Sequence, residues 1–89
     1  MIFSALIEKL KKGEEPAFKE LVLTFSKRLM TVALLYSKDK QDAEDVLQDT
    51  FIKIFQNIDQ FQGAKESMFY GWSKRILINL SLTRNARHY

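Results

Sequence analysis

Apolar residues recur along this chain at spacings of three and four, and nowhere alternate at a spacing of two between turn residues, so the pattern predicts helices and no strand. Only three glycines and one proline interrupt it. The first predicted helix covers about residues 2–12, with Phe3, Leu6, Ile7 and Leu10 on one stripe and Gly13 as its C-terminal stop. The second opens at Pro16, whose missing N–H is no loss in a first turn, and runs to about residue 36. Its stripe is Phe18, Leu21, Val22, Phe25, Leu29 and Val32. "SKDK" makes the next turn, where Ser37 or Asp39 caps a third helix that reaches about residue 57. "DQFQGAKES" reads as a loop, and a fourth helix starts near Ser67 and continues to Arg84 or beyond. The expected fold is all-α, a compact bundle of four helices in one domain over residues 1–89.

Composition narrows the chemistry. A hydrophobic content of 46% over 89 residues supports one modest core. The absence of cysteine excludes disulfides, thiolate metal sites and a cysteine nucleophile within this chain. No apolar run approaches the roughly 18 residues of a membrane span, and the first ten residues carry Glu8 and Lys9 rather than a signal-peptide pattern. The expectation is a soluble, cytoplasmic protein with no membrane partner. A net charge of +3 is too small to indicate a partner, but its distribution is uneven. Between Asp39 and Asp49 five carboxylates face one lysine, whereas from Gly63 onward Lys65, Lys74, Arg75, Arg84 and Arg87 face only Glu66, before His88 is counted.

At about 100° per residue, the third helix gathers Ala43, Leu47, Thr50, Phe51, Ile54 and Ile58 on a core face, with Val46 and Phe55 at its edges. The opposite side carries Gln41, Asp45, Gln48, Asp49, Ile52 and Gln56. Acids near a helix start suit the macrodipole, and that alone accounts for the carboxylates. The sharper reading is a docking surface, with Ile52 as apolar anchor and Asp45, Gln48 and Asp49 setting register around it. On the fourth helix Phe69, Trp72, Ile76, Leu80 and Thr83 form one stripe, while Tyr70, Leu77, Ile78 and Leu82 fall away from it, so apolar side chains wrap most of the circumference. Such a helix is either central in the bundle or presents a ligand surface. Lys74, Arg75, Arg84 and Arg87 are interleaved with its aromatics, as single-stranded nucleic acid requires: cations track phosphates, and rings replace lost stacking at about 1–3 kcal/mol per base. Asn79 is a short amide in an apolar helix near the core edge, suited either to a bond within the bundle or to the edge of an unpaired base.

Catalysis and metal binding have little to stand on. Asp45 and Asp49, spaced i and i+4, are a weak site for a hard cation, and the one histidine, His88, lies at the chain end. No cofactor and no enzymatic activity are expected.

Three stretches in register, "KKGEEPAFKELVLTF", "DAEDVLQDTFIKIFQNIDQF" and "FYGWSKRILINLSL", resemble the second conserved region of bacterial sigma factors, most closely the small extracytoplasmic-function group. The resemblance implies a transcription initiation factor domain. It would bind core RNA polymerase through the clamp helices of the largest subunit, using Asp45, Gln48, Asp49 and Ile52. It would read the single-stranded minus-ten non-template strand of promoter DNA around the Trp72 helix, with Phe61, Asn79 and Thr83 at the positions of a pocket for an unstacked base. Lys74, Arg75 and Arg84 are the phosphate-contact candidates, chosen by charge and wheel position. An anti-sigma protein is a further implied partner. Departures from the family pattern are a lone Trp72 preceded by Gly71 where two tryptophans often stand, and Ser73 where leucine is usual. The minus-thirty-five reader of the family is not found in these 89 residues, so the chain is expected to be one domain of a longer protein. The competing reading is a sigma-like helical interaction module that docks on a protein without reading DNA.

Overall fold

The fold is described from a computed structural model covering residues 3–63 and 65–86, with backbone alone for 85 and 86. Arg87 and His88 lie outside the described residues. Four helices follow one another: α1 (Phe3–Lys11), α2 (Glu15–Tyr36), α3 (Lys40–Gln56) and α4 (Glu66–Ala86), with a 3-10 turn, Ile58–Gln60, between the last two. No strand occurs among the described residues.

The punctuation is local chemistry. Gly13 takes φ +77°, and around it the Gly13 N–H donates to Leu10 O at 3.0 Å and the Glu14 N–H to Lys9 O at 3.1 Å. These two bonds close the end of α1 in the left-handed turn that glycine adopts most readily. Asp39 caps α3, its Oδ1 accepting the Asp42 N–H at 2.8 Å, so of the two candidates the aspartate does the capping. Ser37 instead donates its hydroxyl back to Ala33 O at 2.7 Å. The short turn between α2 and α3 sends α3 back along α2, and α4 packs against both.

The core is the shared interior of these helices: Leu6, Ile7 and Leu10 of α1; Ala17, Leu21, Phe25, Leu29 and Ala33 of α2; Ala43, Val46, Phe51 and Ile54 of α3; Phe69 and Leu77 of α4. Phe69 is its aromatic hub, with ring centroids 5.1 Å from Phe25, 5.4 Å from Phe3, 5.3 Å from Phe61 and 5.8 Å from Trp72. The face that α4 buries differs from its apolar stripe. Phe69, Ser73, Leu77 and Ser81 are buried, while Trp72, Ile76 and Leu80 are half-buried and Thr83 is exposed. The physical reason is that α4 sits on two helices at once, and the small Ser73 and Ser81 side chains let it approach closely. The larger residues of the stripe are turned to the side, where they line a cleft.

Candidate nucleic-acid and protein interface

On α3 the acidic side forms a crest between two grooves. Ile52 is 48% exposed and Gln48 and Asp49 are exposed, whereas Asp45 is half-buried beside α4. On the α2 side of the crest, Gln48 and Ile52 border an apolar groove with Val22, Ser26, Glu44, Leu47, Phe51 and Phe55. Phe55 packs on Phe18 at 4.6 Å, which joins the groove to α2. Ile52 is thus the exposed lip of a larger apolar surface, and the α2 share of that surface was missed in the sequence because Val22 belongs to a stripe that reads as core.

On the α4 side lies a cleft lined by Lys53, Asn57, Gln60, Trp72, Ile76, Asn79, Leu80 and Thr83. Asn79 is exposed on its rim, not tucked at the core edge, and its amide has no hydrogen-bond partner among the described residues. Across from it, Asn57 donates through Nδ2 to Lys53 O at 2.8 Å, and its Oδ1 accepts from Gln60 Nε2 at 3.2 Å. This orients both amides and leaves the Gln60 carbonyl oxygen available. Lys53, Asn57 and Gln60 were not singled out in the sequence; the signal was the run of amides from Gln56 to Gln62 around Phe61.

Trp72 separates this cleft from a second hollow lined by Gln60, Phe61, Gln62, Gly63, Met68, Gly71 and Arg75. Phe61 is only 5% exposed, its ring 5.4 Å from that of Trp72, so it forms the floor beneath the loop and not an open wall. A Cβ on Gly63 would stand 2.8 Å from Phe61 Cζ, so a larger residue there would force the Phe61 ring or the loop to shift. Lys11 Nζ donates to Phe61 O at 2.9 Å and ties α1 to the same loop.

The cations predicted together are placed apart. Arg75 borders the second hollow. Lys74 lies on the α2 flank, its ammonium 5.3 Å from the Tyr70 ring centroid, where Arg28 also stacks at 4.7 Å. Arg84 is turned towards α3: its Nε meets Asp42 Oδ1 and its Nη2 lies 3.2 Å from Asp45 Oδ2. The expectation of a cation free for phosphates at Arg84 is therefore corrected by a carboxylate, Asp42, that is buried at 3% exposure and demands a partner.

Burial pushes the Asp42 carboxyl up, but the Lys38 backbone N–H and the Arg84 guanidinium outweigh it and hold the group below its ordinary 3.8. A carboxyl lowered on folding stabilises the fold fully above its unfolded value, and that contribution is lost as pH falls through the folded value. Thermal melts of the parent and of Asp42→Asn should therefore differ most near neutrality and converge in acid, below the ordinary carboxyl value. A difference independent of pH would mean the charge of Asp42 contributes nothing.

Among the described residues no helix is long and apolar enough to cross a membrane, and no group of three or more His, Cys, Asp or Glu side chains is arranged to hold a metal ion.

Residues 21–88 match the family model described as Sigma-70 region 2. The RNA polymerase sigma-H factor of Pseudomonas aeruginosa is 36% identical over 74 residues, covering 83% of this chain and 37% of that protein. The ECF RNA polymerase sigma-E factor of Haemophilus influenzae is 36% identical over 75 residues, covering 84% of this chain and 38% of that protein. The chain thus spans little more than a third of the length of these relatives. Among solved structures, an engineered region 2 of sigmaE, determined by NMR in complex with GTAAAA, superimposes with a TM-score of 0.86 at 26% identity, covering 98% of this chain and 88% of that one. In sequence and in fold, this chain belongs to the sigma-70 region 2 family, as a domain of the extracytoplasmic-function (ECF) group.

Proposed function

We propose that this transcription-initiation domain docks on core RNA polymerase through the α3 crest and holds an unpaired base of the promoter minus-ten element in the α3–α4 cleft. The observation that carries the reading is the amide-rimmed cleft, with Asn79 unpartnered on one side and Gln60 and Asn57 pre-oriented on the other, in a fold shared with a sigmaE region 2 that binds GTAAAA. An amide offers both donors and acceptors, as the edge of an unpaired base does. Trp72, on the wall between the two hollows, supplies a stacking face, and Lys53 and Arg75 are the cations beside them. Unstacking a base costs a few kcal/mol, roughly what one stacking contact returns, so melting follows from preferential binding to the open strand. On the other flank, Ile52 and the groove formed with Val22, Phe51 and Phe55 would accept the apolar stripe of a partner helix whose basic residues meet Asp49 and Asp45.

The test is fluorescence anisotropy with labelled single-stranded GTAAAA and a scrambled strand. Asn79→Ala should erase most of the preference between the two while changing total affinity little. Arg75→Ala should weaken both equally and lower the salt slope by about one, and Lys74→Ala should do less, since its ammonium is spent on Tyr70. Loss of affinity without loss of preference in Asn79→Ala would overturn the base-reading assignment. A domain that retains polymerase yet binds neither strand would be the interaction module without DNA reading.

A further inference from the structure

Phe61, Gln62 and Gly63 carry the loop along the second hollow outside any helix. The Phe61 N–H donates to Ile58 O at 3.1 Å and closes the 3-10 turn, while α4 begins only at Glu66. Among the described residues, one hydrogen bond reaches residues 61–63 from another helix: Lys11 Nζ donates to Phe61 O at 2.9 Å across 50 positions of the chain. The bond is charge-assisted, and its donor is the last residue of α1, whose end is fixed by the left-handed turn at Gly13. Lys11 precedes residues 21–88, which match the family model, so the bond ties a helix outside the matched span to a loop within it. The carbonyl it holds belongs to the peptide joining Phe61 to Gln62, one residue beyond Gln60, which borders both the cleft and the second hollow. Resting on the strand reading proposed above, we infer that Lys11 is a positioning residue for it. Its ammonium fixes the Phe61–Gln62 peptide, and with it the seat of Gln60 and of the Phe61 ring beneath Trp72, so α1 sets strand preference without touching the strand. A lysine serving phosphates would add affinity for any sequence, whereas an ammonium committed to a carbonyl acts only through the loop it orients.

Lys11→Met removes the donor and keeps an apolar stem. Lys12→Met removes an equal charge one residue on, from an exposed side chain with no hydrogen bond or ion pair among the described residues. Lys11→Arg restores a donor. Trp72 is the chain's one tryptophan and its ring lies 5.4 Å from that of Phe61, so acrylamide quenching of its emission reports the loop with no ligand present. Quenching should rise in Lys11→Met and stay at the parent's level in Lys12→Met and Lys11→Arg. In anisotropy on the 89-residue chain, the preference of Lys11→Met for single-stranded GTAAAA over a scrambled strand should fall by roughly two- to tenfold, the range one hydrogen bond is worth. Lys12→Met should keep that preference and Lys11→Arg should recover most of it, with the melting temperatures of all three close to the parent's. Equal weakening of both strands in Lys11→Met, with a shallower salt dependence, would make Lys11 a phosphate contact and overturn the positioning role. Unchanged quenching and preference would overturn it too, while leaving the parent's strand reading intact. A parent chain that binds GTAAAA no better than the scrambled strand would remove strand reading and this role with it.

Discussion

Phe69→Ala is expected to lower the stability of this domain by about 3–5 kcal/mol, the range for removing a fully buried aromatic ring. For a chain of 89 residues that is a large share of the total, since small domains hold about 5–15 kcal/mol in all. The expectation rests on more than burial. Phe69 touches Phe3, Phe25, Phe61 and Trp72, so its loss opens a void at the point where α1, α2, the loop and α4 meet. Urea denaturation is the measurement: the midpoint should fall sharply with little change in slope. Phe3→Ala, at a half-buried position, should cost visibly less. A loss below about 1 kcal/mol for Phe69→Ala, smaller than core truncations give, would mean that the hub collapses to fill its own cavity. Because Phe61 and Trp72 lean on this ring, a milder change, Phe69→Leu, should also blunt the preference between strands while the domain remains folded.

Asp49→Lys with Ile52→Asp should reduce retention of core RNA polymerase by about 30-fold or more, the loss expected when a central anchor and its neighbouring charge are both removed. Its melting temperature should stay close to the parent's, because both side chains are exposed and neither has a hydrogen bond or ion pair among the described residues. Asp45 is left out of this variant for a structural reason: a lysine there would face Arg84 and disturb the buried Asp42 pair. The measurement is a pull-down with purified core polymerase, read against a wild-type titration. Undiminished retention would remove the docking assignment from the crest.

Much of the architecture was legible in the order of residues, and the places where it was not share a cause. The helix boundaries followed from local chemistry: Gly13 at a left-handed turn, Pro16 in a first turn, Asp39 as a cap. The crest of α3 was legible too, because a helix with one buried face must leave Gln48, Asp49 and Ile52 outside. The orientation of α4 was not. Its apolar residues surround the axis, so periodicity alone selects no face, and the choice fell to two buried serines whose value is small size. The cleft was only half legible. Asn79 and Thr83 stood out, but Asn57, Gln60 and Lys53 come from another element, and only the return of α4 along α3 brings them opposite. The partnership of Arg84 with Asp42 and Asp45 spans 42 and 39 positions of the chain, and no local pattern announces it.

The sequence by itself determined that this chain is helical, where α1 ends and where α2 and α3 begin, and that acid and base are segregated along it, because turn chemistry, capping and the helical repeat act over four residues or fewer. Which side of α4 faces the core, which amides share a cleft, and which cations remain free for a ligand were decided only by tertiary packing. Those choices depend on distances between residues far apart in the chain, where close fit and the cost of burying an unpaired charge outweigh any local preference.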